Sequence, residues 1–469
     1  MRRATLTARL MFPIAGLLAV ACVAQEKAPQ FVTLEQAQPV LNTFRQELPD
    51  ELRNRKPAEL DAYWPQWVSK RDQEVRARLD QGEEDTITNL LRFGVTYTQQ
   101  PRIDWPNLFR YGQSVGVDFW VQNRVDDLVS ALSSPGKNEH MRSARAFLGK
   151  KGYGFRTGAE RARVKEYLVA NLKRMQKEFA GFQEQLSALR AANKLDGGKM
   201  LELDSHLFQN RGISLDTNIR PNFAIEQTLK DLASKNLLAA RSVHRVAIVG
   251  PGLDFVNKEE GADFYPTQTI QPFAVLDSLL KLKLADLGAI EIVTYDISAS
   301  VNQHIRRIRT RAAQGLPYEL QIPWDATKAW TPEFTAYWEN IGLQVGSAGR
   351  ALPVPDATPE LKIRAIKIPA RSVNAVRPVD MNVVFQRDDL SDANRYDLVI
   401  GTNIFVYYSA FEQALALRNL SQMIRPGGFL MSNNLLAGYP GCKLREAGRT
   451  PSPLSKTETE TIFWYRRDP

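Results

Sequence analysis

Val246-Ala-Ile-Val-Gly-Pro-Gly-Leu-Asp-Phe255 is a short apolar run that ends in glycine, and the texture of the chain changes there. Four small or branched apolar residues in a row read as a buried parallel strand. Gly250 and Gly252 with Pro251 between them follow it. Glycine at a strand end lets the backbone approach a ligand with no Cβ in the way, at the carboxyl edge where open α/β sheets bind. The same Gly-x-Gly also fits a plain tight turn. A dinucleotide fingerprint would need a third glycine at Phe255, which argues against a nicotinamide enzyme.

Four more runs have the same form: Ile290-Glu-Ile-Val-Thr-Tyr295, Asn382-Val-Val-Phe385, Tyr396-Asp-Leu-Val-Ile400 and Gly428-Phe-Leu-Met431. Helical patterns at Pro272–Leu284, Ala299–Ala313 and Ser409–Met423 separate most of them. Strands alternating with helices predict a mostly parallel sheet covered on both faces, an α/β fold of Rossmann-like type. Thr461-Ile-Phe-Trp-Tyr465 is expected to close the sheet as an antiparallel strand. An insertion spanning 314–380 carries Tyr318, Trp324, Trp330, Tyr337 and Trp338, read either as an acceptor-pocket wall or as the small core of a cap.

Upstream, the pattern from Phe31 to Leu238 is helical, with segments expected at Leu34–Arg45, Pro65–Leu79, Val117–Leu132 and Ala224–Leu238. Leu168, Leu172, Met175, Phe179, Phe182, Leu186 and Leu189 form one apolar seam on a helix expected to end at Gly197-Gly198. Such a seam packs inside a bundle more readily than it makes a dimer. The stretch 211–222 is polar and irregular. The expected layout is therefore a leader at 1–24, an all-α domain at 25–240 and an α/β domain at 241–469.

Residues 1–24 carry Arg2, Arg3 and Arg9, no acid, and an apolar stretch from Leu10 to Ala24. That stretch is short of the ~20 residues a membrane span needs, and it reads as a secretory signal. Cleavage after Ala24 and lipidation at Cys22 both fit, which would place the mature chain in the periplasm or cell envelope. The alternative is a cytoplasmic protein with an apolar tail. Two cysteines and four scattered histidines in 469 residues give neither a disulfide framework nor a zinc spacing. The net charge of +9 is spread along helices rather than gathered in one block, so a solvated surface is expected and not a nucleic-acid footprint.

Among residues that carry chemistry, Asp296 ends the second strand, where a carboxylate accepts both hydroxyls of a ribose. Asp388 and Asp389, in Gln386-Arg-Asp-Asp-Leu390, are candidates to accept from an adenine amino group. The most specific element comes late: Tyr396-Asp-Leu-Val-Ile-Gly-Thr-Asn-Ile-Phe-Val-Tyr-Tyr408, a helix, then Arg425-Pro-Gly-Gly428 and an apolar strand.

This arrangement resembles the late core of class I S-adenosylmethionine (SAM)-dependent methyltransferases. Within them, Asn403-Ile-Phe-Val-Tyr-Tyr408, Tyr465-Arg-Arg467 and Gln271-Pro-Phe-Ala274 resemble the chemotaxis-receptor methyltransferases. The resemblance covers the chain from Arg241 onward and not the helical half. It implies SAM as cofactor, with Gly250, Pro251 and Gly252 around the amino-acid portion and Asp296 with Ile297 at the ribose. It further implies Asp388 or Asp389 near adenine and Asn403 beside the transferred methyl. Tyr265, Tyr407, Tyr408, Asn433 and Asn434 follow strand ends and are expected in the same crevice.

The family usually places an acid where Ile248 stands and a third glycine where Asp254 stands; Asp254 is expected to supply the missing charge near the SAM ammonium. No Asn-Pro-Pro-Tyr follows the fourth strand, which argues against methylation of an amide or adenine nitrogen. The resemblance thus implies methyl transfer to a carboxylate, hydroxyl or amine of a small molecule or protein side chain. The alternative is a non-catalytic envelope protein that keeps the fold for binding or scaffolding.

Overall fold

The computed structural model describes residues 28–103, 117–192, 208, 211–215, 217–254, 263–436 and 438–469. The leader with Cys22, and the expected helix end at Gly197-Gly198, lie outside the described residues. The described chain starts with a short strand β1 (Gln30–Phe31), then helices α1 (Leu34–Thr43), α2 (Asp50–Arg53) and α3 (Pro57–Phe93). α1 opens on a reciprocal cap: Gln36 N–H donates to Thr33 Oγ1, and Thr33 N–H to Gln36 Oε1. α3 runs well beyond the Pro65–Leu79 segment that periodicity picked out. Its first half buries Trp64, Trp67 and Val68, and its last turns bury a nearly unbroken run from Thr86 to Phe93.

Helices α4 (Val117–Ser133), α5 (Glu139–Lys150) and α6 (Gly158–Ala191) follow. On α6 the seam residues Leu168, Leu172 and Met175 meet Leu90 and Leu91 of α3 and Val125, Leu128 and Leu132 of α4 in a core of their own. The seam therefore faces a bundle. α7 (Ile219–Ser234) does not join that bundle: Phe223, Ile225, Leu229 and Leu232 pack into the core beside the main sheet. On the sheet's other face, Val40, Leu41, Trp64 and Trp67 of α1 and α3 pack with Ala247, Val249 and Val399. The helical half is thus partly a bundle with its own core, tied to the second half by Asp263, which accepts from Val95 N–H at 2.8 Å, and partly the cover of the sheet.

The second half runs β2 (Arg245–Val249), α8 (Gln271–Lys281), β3 (Glu291–Asp296), α9 (Ala299–Ala313), β4 (Tyr318–Asp325) and α10 (Pro332–Asn340). It continues through β5 (Ser347–Ala348), β6 (Leu361–Ile368), α11 (Ala370–Asn374), β7 (Val376–Asp380), β8 (Gln386–Arg387) and β9 (Tyr396–Gly401). It closes with α12 (Ala410–Met423), β10 (Ile424–Ser432), β11 (Leu444–Pro453) and β12 (Thr459–Arg467).

The main sheet has the order β7-β3-β2-β9-β10-β12-β11. The first five strands are parallel, β12 runs antiparallel to β10, and β11 runs antiparallel to β12. This is the Rossmann-like sheet that the methyltransferase resemblance implies, preceded by helices. From β2 the chain winds outward through β3 to β7 and then returns to β9 on β2's other side. That reversal opens a crevice above Gly250, between the carboxyl ends of β2 and β9.

Asp397 fixes the opposite end of the sheet. Its Oδ2 accepts from His244 N at 2.7 Å and Arg245 N at 2.9 Å, while Oδ1 takes the Arg425 guanidinium. The Arg425-Pro-Gly-Gly428 element is the bulged start of β10. Gly427 has φ of 77°, and a Cβ on Gly428 would lie 2.9 Å from Asp397 O, so both glycines are required for the strand to enter there.

One expected strand is displaced. The sheet strand is Val376-Arg-Pro-Val-Asp380, whereas Val383–Phe385 forms a turn. Pro378 is tolerated because β7 is an edge strand. The apolar run is buried instead beneath α3, with Phe385 edge-on to Trp67 at 6.0 Å between ring centroids. Val376–Asp380, at the end of the range assigned to the insertion, is therefore part of the main sheet. The rest of that range forms an antiparallel sheet β4-β6-β5 with α10. Its tryptophans cluster, Trp324 stacking on Trp338 at 5.2 Å and meeting Trp330 at 5.4 Å. They continue the core beside the main sheet through Phe334 and Tyr337, which meet Phe223 of α7, so the module has no separate core. Among the described residues no helix is long and apolar enough to cross a membrane.

Candidate functional site

The crevice at the switch point is narrow, with a cavity volume of about 70 Å³, and is partly open to solvent. Four strand ends supply its floor and walls: Val249, Gly250 and Gly252 at the end of β2; Tyr295, Asp296 and Ile297 at β3; Met381, Asn382 and Val383 after β7; and Thr402, Asn403 and Ile404 after β9, with Tyr407 and Tyr408 further along the same loop. Gly250 and Gly252 have φ of 63° and 66°, a left-handed conformation that glycine adopts without a Cβ clash. This chain also fills part of the space the missing side chains leave. A Cβ on Gly250 would lie 2.1 Å from Ile404 Cδ1, and one on Gly252 would lie 2.5 Å from Leu215 O.

Asp296 is the one carboxylate lining the crevice, and no lysine or arginine lines it among the described residues. Burial pushes its carboxyl up to about 7. The N–H groups of Ser298, at 2.7 Å, and of Gly252 pull the other way, as does the charge of Arg76, while Asp380 on the neighbouring strand adds to the rise. The carboxylate is thus tied to the glycine loop by a backbone hydrogen bond. It faces the crevice.

The helical half completes the site. Leu79 of α3 lines it, and a strap with Ile213, Ser214, Leu215 and Thr217 crosses over it. The strap lies against α3 through two glycines: a Cβ on Gly82 would lie 1.9 Å from Ile213 O, and one on Gly212 would lie 2.1 Å from Gly82 N. Arg78 ties three carbonyls together, Phe208 at 2.9 Å, Arg211 at 3.2 Å and Tyr407 at 3.0 Å. On its far side the strap accepts from Leu253 N–H through Leu215 O at 2.8 Å. The only sequence signal for this cover was the irregular polar stretch 211–222 just before α7.

Of the residues singled out from the sequence, Gly250, Gly252, Asp296, Ile297, Asn403, Tyr407 and Tyr408 come together in the crevice. Pro251 bridges the two glycines without lining it. Asn433 sits at the mouth, bonded to Asn403. Asn434 turns back, its N–H donating to Ser432 Oγ at 3.0 Å.

Asp254 and Tyr265 are placed elsewhere. Asp254 is buried, accepts from Tyr265 OH at 3.2 Å and from Gln268 Nε2 at 2.8 Å, and so braces the loop after β2 against the inserted module. Gln268 continues the link to Gln321 of β4, donating to its carbonyl at 2.6 Å. Asp254 therefore does not supply charge to the crevice. Asp388 takes the hydroxyl of Tyr295 beneath the sheet, and Asp389 follows it; neither lines the crevice. The displaced strand explains this, because the chain leaves the sheet at Asp380 and the first residues past its end are Met381, Asn382 and Val383. Gln271 and Thr402 join the site as an unexpected buried pair, Gln271 Nε2 donating to Thr402 Oγ1 at 2.9 Å. No group of three or more metal-ligating side chains occurs among the described residues.

No protein-family model and no curated protein matches the chain. Solved structures that align with it include the N-methyltransferase NodS from Bradyrhizobium japonicum WM9 in complex with S-adenosyl-l-homocysteine, at 14% identity over 57% of this chain and 97% of that chain, TM-score 0.25. Magnesium protoporphyrin IX methyltransferase (ChlM) from Synechocystis PCC 6803 with bound SAM aligns at 11% identity over 52% of this chain and 80% of that chain, TM-score 0.25. A TehB-like SAM-dependent methyltransferase from Corynebacterium glutamicum aligns at 10% identity over 53% and 98%, TM-score 0.24.

Proposed function

We propose that this crevice binds SAM and that the chain transfers its methyl group to a carboxylate, hydroxyl or amine of a small molecule or protein side chain. The observation that carries the reading is Asp296: a buried carboxylate at the end of β3, facing the crevice and hydrogen-bonded to a left-handed glycine loop. Its oxygens suit two ribose hydroxyls. Gly250 and Gly252 then flank the amino-acid portion, and Ile297 lies beside the sugar. Met381, Asn382 and Val383 surround the adenine, in place of Asp388 and Asp389. Asn403 lies beside the methyl.

Methyl transfer from a sulfonium asks mainly for alignment of nucleophile, methyl and sulfur, which a narrow crevice under a strap provides. Ile213, Leu215 and Ile404 exclude water from one side. An acceptor enters from the β9–β10 side, where Asn403 is exposed.

The reading is tested by thermal unfolding with SAM and with S-adenosylhomocysteine. Binding stabilises the fold by RT ln(1 + [L]/Kd), about 2.7 kcal/mol at a hundredfold excess over Kd. The expected result is stabilisation that Asp296→Ala abolishes. No shift at millimolar ligand would favour the non-catalytic scaffold, a reading that Ile404 packed over Gly250 supports. The leader reading adds an envelope location, tested by fractionating cells that express the chain with and without residues 1–24.

A further inference from the structure

The loops after β9 and β10 bring two amides face to face at the mouth of the crevice. Asn403 has a left-handed φ of 60°, rare for a residue with a side chain and found most often for Asn and Asp. Its backbone N–H donates to Asn433 Oδ1 at 2.8 Å, which holds the turn. Asn433 Nδ2 donates in return to Asn403 Oδ1 at 2.6 Å, and its second hydrogen goes to Glu460 Oε1 at 3.0 Å.

The two ends of a carboxamide have nearly the same shape, so their partners decide which end points where. A carboxylate only accepts. Glu460 therefore requires the Nδ2 of Asn433, which leaves Asn433 Oδ1 for the backbone N–H of Asn403, itself only a donor. The remaining Nδ2 hydrogen of Asn433 then claims Asn403 Oδ1. One end of the chain of amides is left over: the NH2 of Asn403, on an exposed side chain that lines the crevice. Burial raises the Glu460 carboxyl above its ordinary value, while the Asn433 hydrogen bond and the charge of Arg220, at the start of α7, pull the other way and favour the charged form.

We propose that Glu460 is a positioning residue that acts through Asn433 to turn the N–H donors of Asn403 into the crevice, so that the group accepting the methyl presents oxygen lone pairs there, as a hydroxyl or carboxylate does, and not an amine N–H. This rests on the methyl-transfer reading and narrows its acceptor. The step balances without a further reactant. An oxygen lone pair forms the new C–O bond, the C–S bond breaks, and its electron pair stays on sulfur as a neutral thioether. A carboxylate has no proton to lose. A hydroxyl gives its proton to water at the exposed mouth.

Two arms test the proposal on the full chain. In the first, neutron diffraction or side-chain amide NMR without any cofactor reads the amide orientations. The expected result is an Asn403 NH2 facing the crevice and an Asn433 NH2 with both hydrogens bonded; Asn403 Oδ1 facing the crevice overturns the proposal. This arm decides the amide polarity even if SAM does not bind. In the second, methyl-labelled SAM is offered with benzoate, 4-hydroxybenzoate and benzylamine, and the label is assigned to oxygen or nitrogen. Label on oxygen is expected. Glu460→Ala should lower kcat/KM at least tenfold with the KM for SAM unchanged, and Glu460→Gln should restore most of it, since its carbonyl still accepts from Asn433.

The double variant Asn433→Asp with Glu460→Gln reverses every donor in the chain and should move the label toward the amine. Label on nitrogen in the wild type, no label on either oxygen compound, or an unchanged preference in the double variant overturns the proposal. Failure of SAM to shift the thermal transition in the same preparation identifies a failure of the methyl-transfer reading instead.

Discussion

Arg76 pairs with Asp380 at 2.7 Å, and this contact joins the N-terminal helices to the carboxyl edge of the sheet. The same guanidinium donates to Ile297 O at 3.1 Å and to Asp72 at 2.9 Å. Asp380 is the register partner of Asp296 on the adjacent strand. One cation from α3 thus serves two acids at neighbouring strand ends, one of which is the candidate ribose ligand. The crevice is therefore not a property of the α/β half alone.

Replacing Arg76 by Gln should act on both. Asp72 is left buried without its cation, and breaking a largely buried pair is expected to cost about 1–3 kcal/mol. The Asp296 carboxyl should rise further, because Arg76 lowers it. SAM affinity at pH 7 should fall several-fold. Denaturant unfolding and isothermal titration measure the two effects, and unchanged SAM affinity would count against Asp296 as the ribose ligand.

The pH dependence follows from Asp296. An acid held near 7 when folded, against about 4 when unfolded, keeps a proton in the native state that the unfolded chain has released. Its contribution to stability is complete below pH 4 and is lost as pH rises toward 7, at most about 4 kcal/mol. Ribose hydroxyls donate to the ionised form, so ligand binding should strengthen over the same interval and level off above 7. Calorimetry between pH 5 and 8 in buffers of different ionisation enthalpy should record proton release on binding, and Asp296→Asn should remove it.

The sequence made the parallel strands β2, β3, β9 and β10 legible because each is buried in its central part and carries a cluster of three or four apolar residues there, broken in β3 by a threonine. Edge strands carry no such signature. β7 contains Arg377 and Pro378, β11 is exposed along most of its length, and both depend on partners distant in sequence. The apolar run at Asn382–Phe385 has the composition of a strand but is buried by Trp67, a residue far upstream that no local pattern connects to it. That displacement carried the adenine-side assignment to Asp388 and Asp389. The strap was legible only as an irregular polar stretch for a related reason: its placement depends on a glycine-to-glycine contact between residues 82 and 212.

Asp254 illustrates the difference between a residue in a motif and a residue in a site. It stands where a third glycine was expected, yet it is only 2% exposed and bonded to Tyr265 and Gln268. Asp254→Ala should remove a shared acceptor and lower stability by about 1–3 kcal/mol. The Kd for SAM should stay within about threefold, because no atom of Asp254 borders the crevice. A large loss of affinity in a variant that remains folded by circular dichroism would return Asp254 to the cofactor site.

Ile404 gives the sharpest separation between an enzyme and a scaffold. Its Cδ1 lies against Gly250, on the glycine loop that the proposed pose assigns to the SAM amino-acid portion, so binding in that pose is expected to need a change of its rotamer. Ile404 is half-buried, and truncating it removes contacts with the hydrophobic layer under the site. Ile404→Ala should therefore cost about 1–3 kcal/mol of stability, below the range for a fully buried isoleucine. The same change clears the space over the glycine loop, so SAM should bind the variant more tightly than the wild type. Titration calorimetry compares the two directly. Tighter binding in a less stable protein identifies Ile404 as a displaceable plug over a cofactor site; weaker binding, or none in either protein, identifies it as the permanent filling of a crevice that no longer takes a ligand.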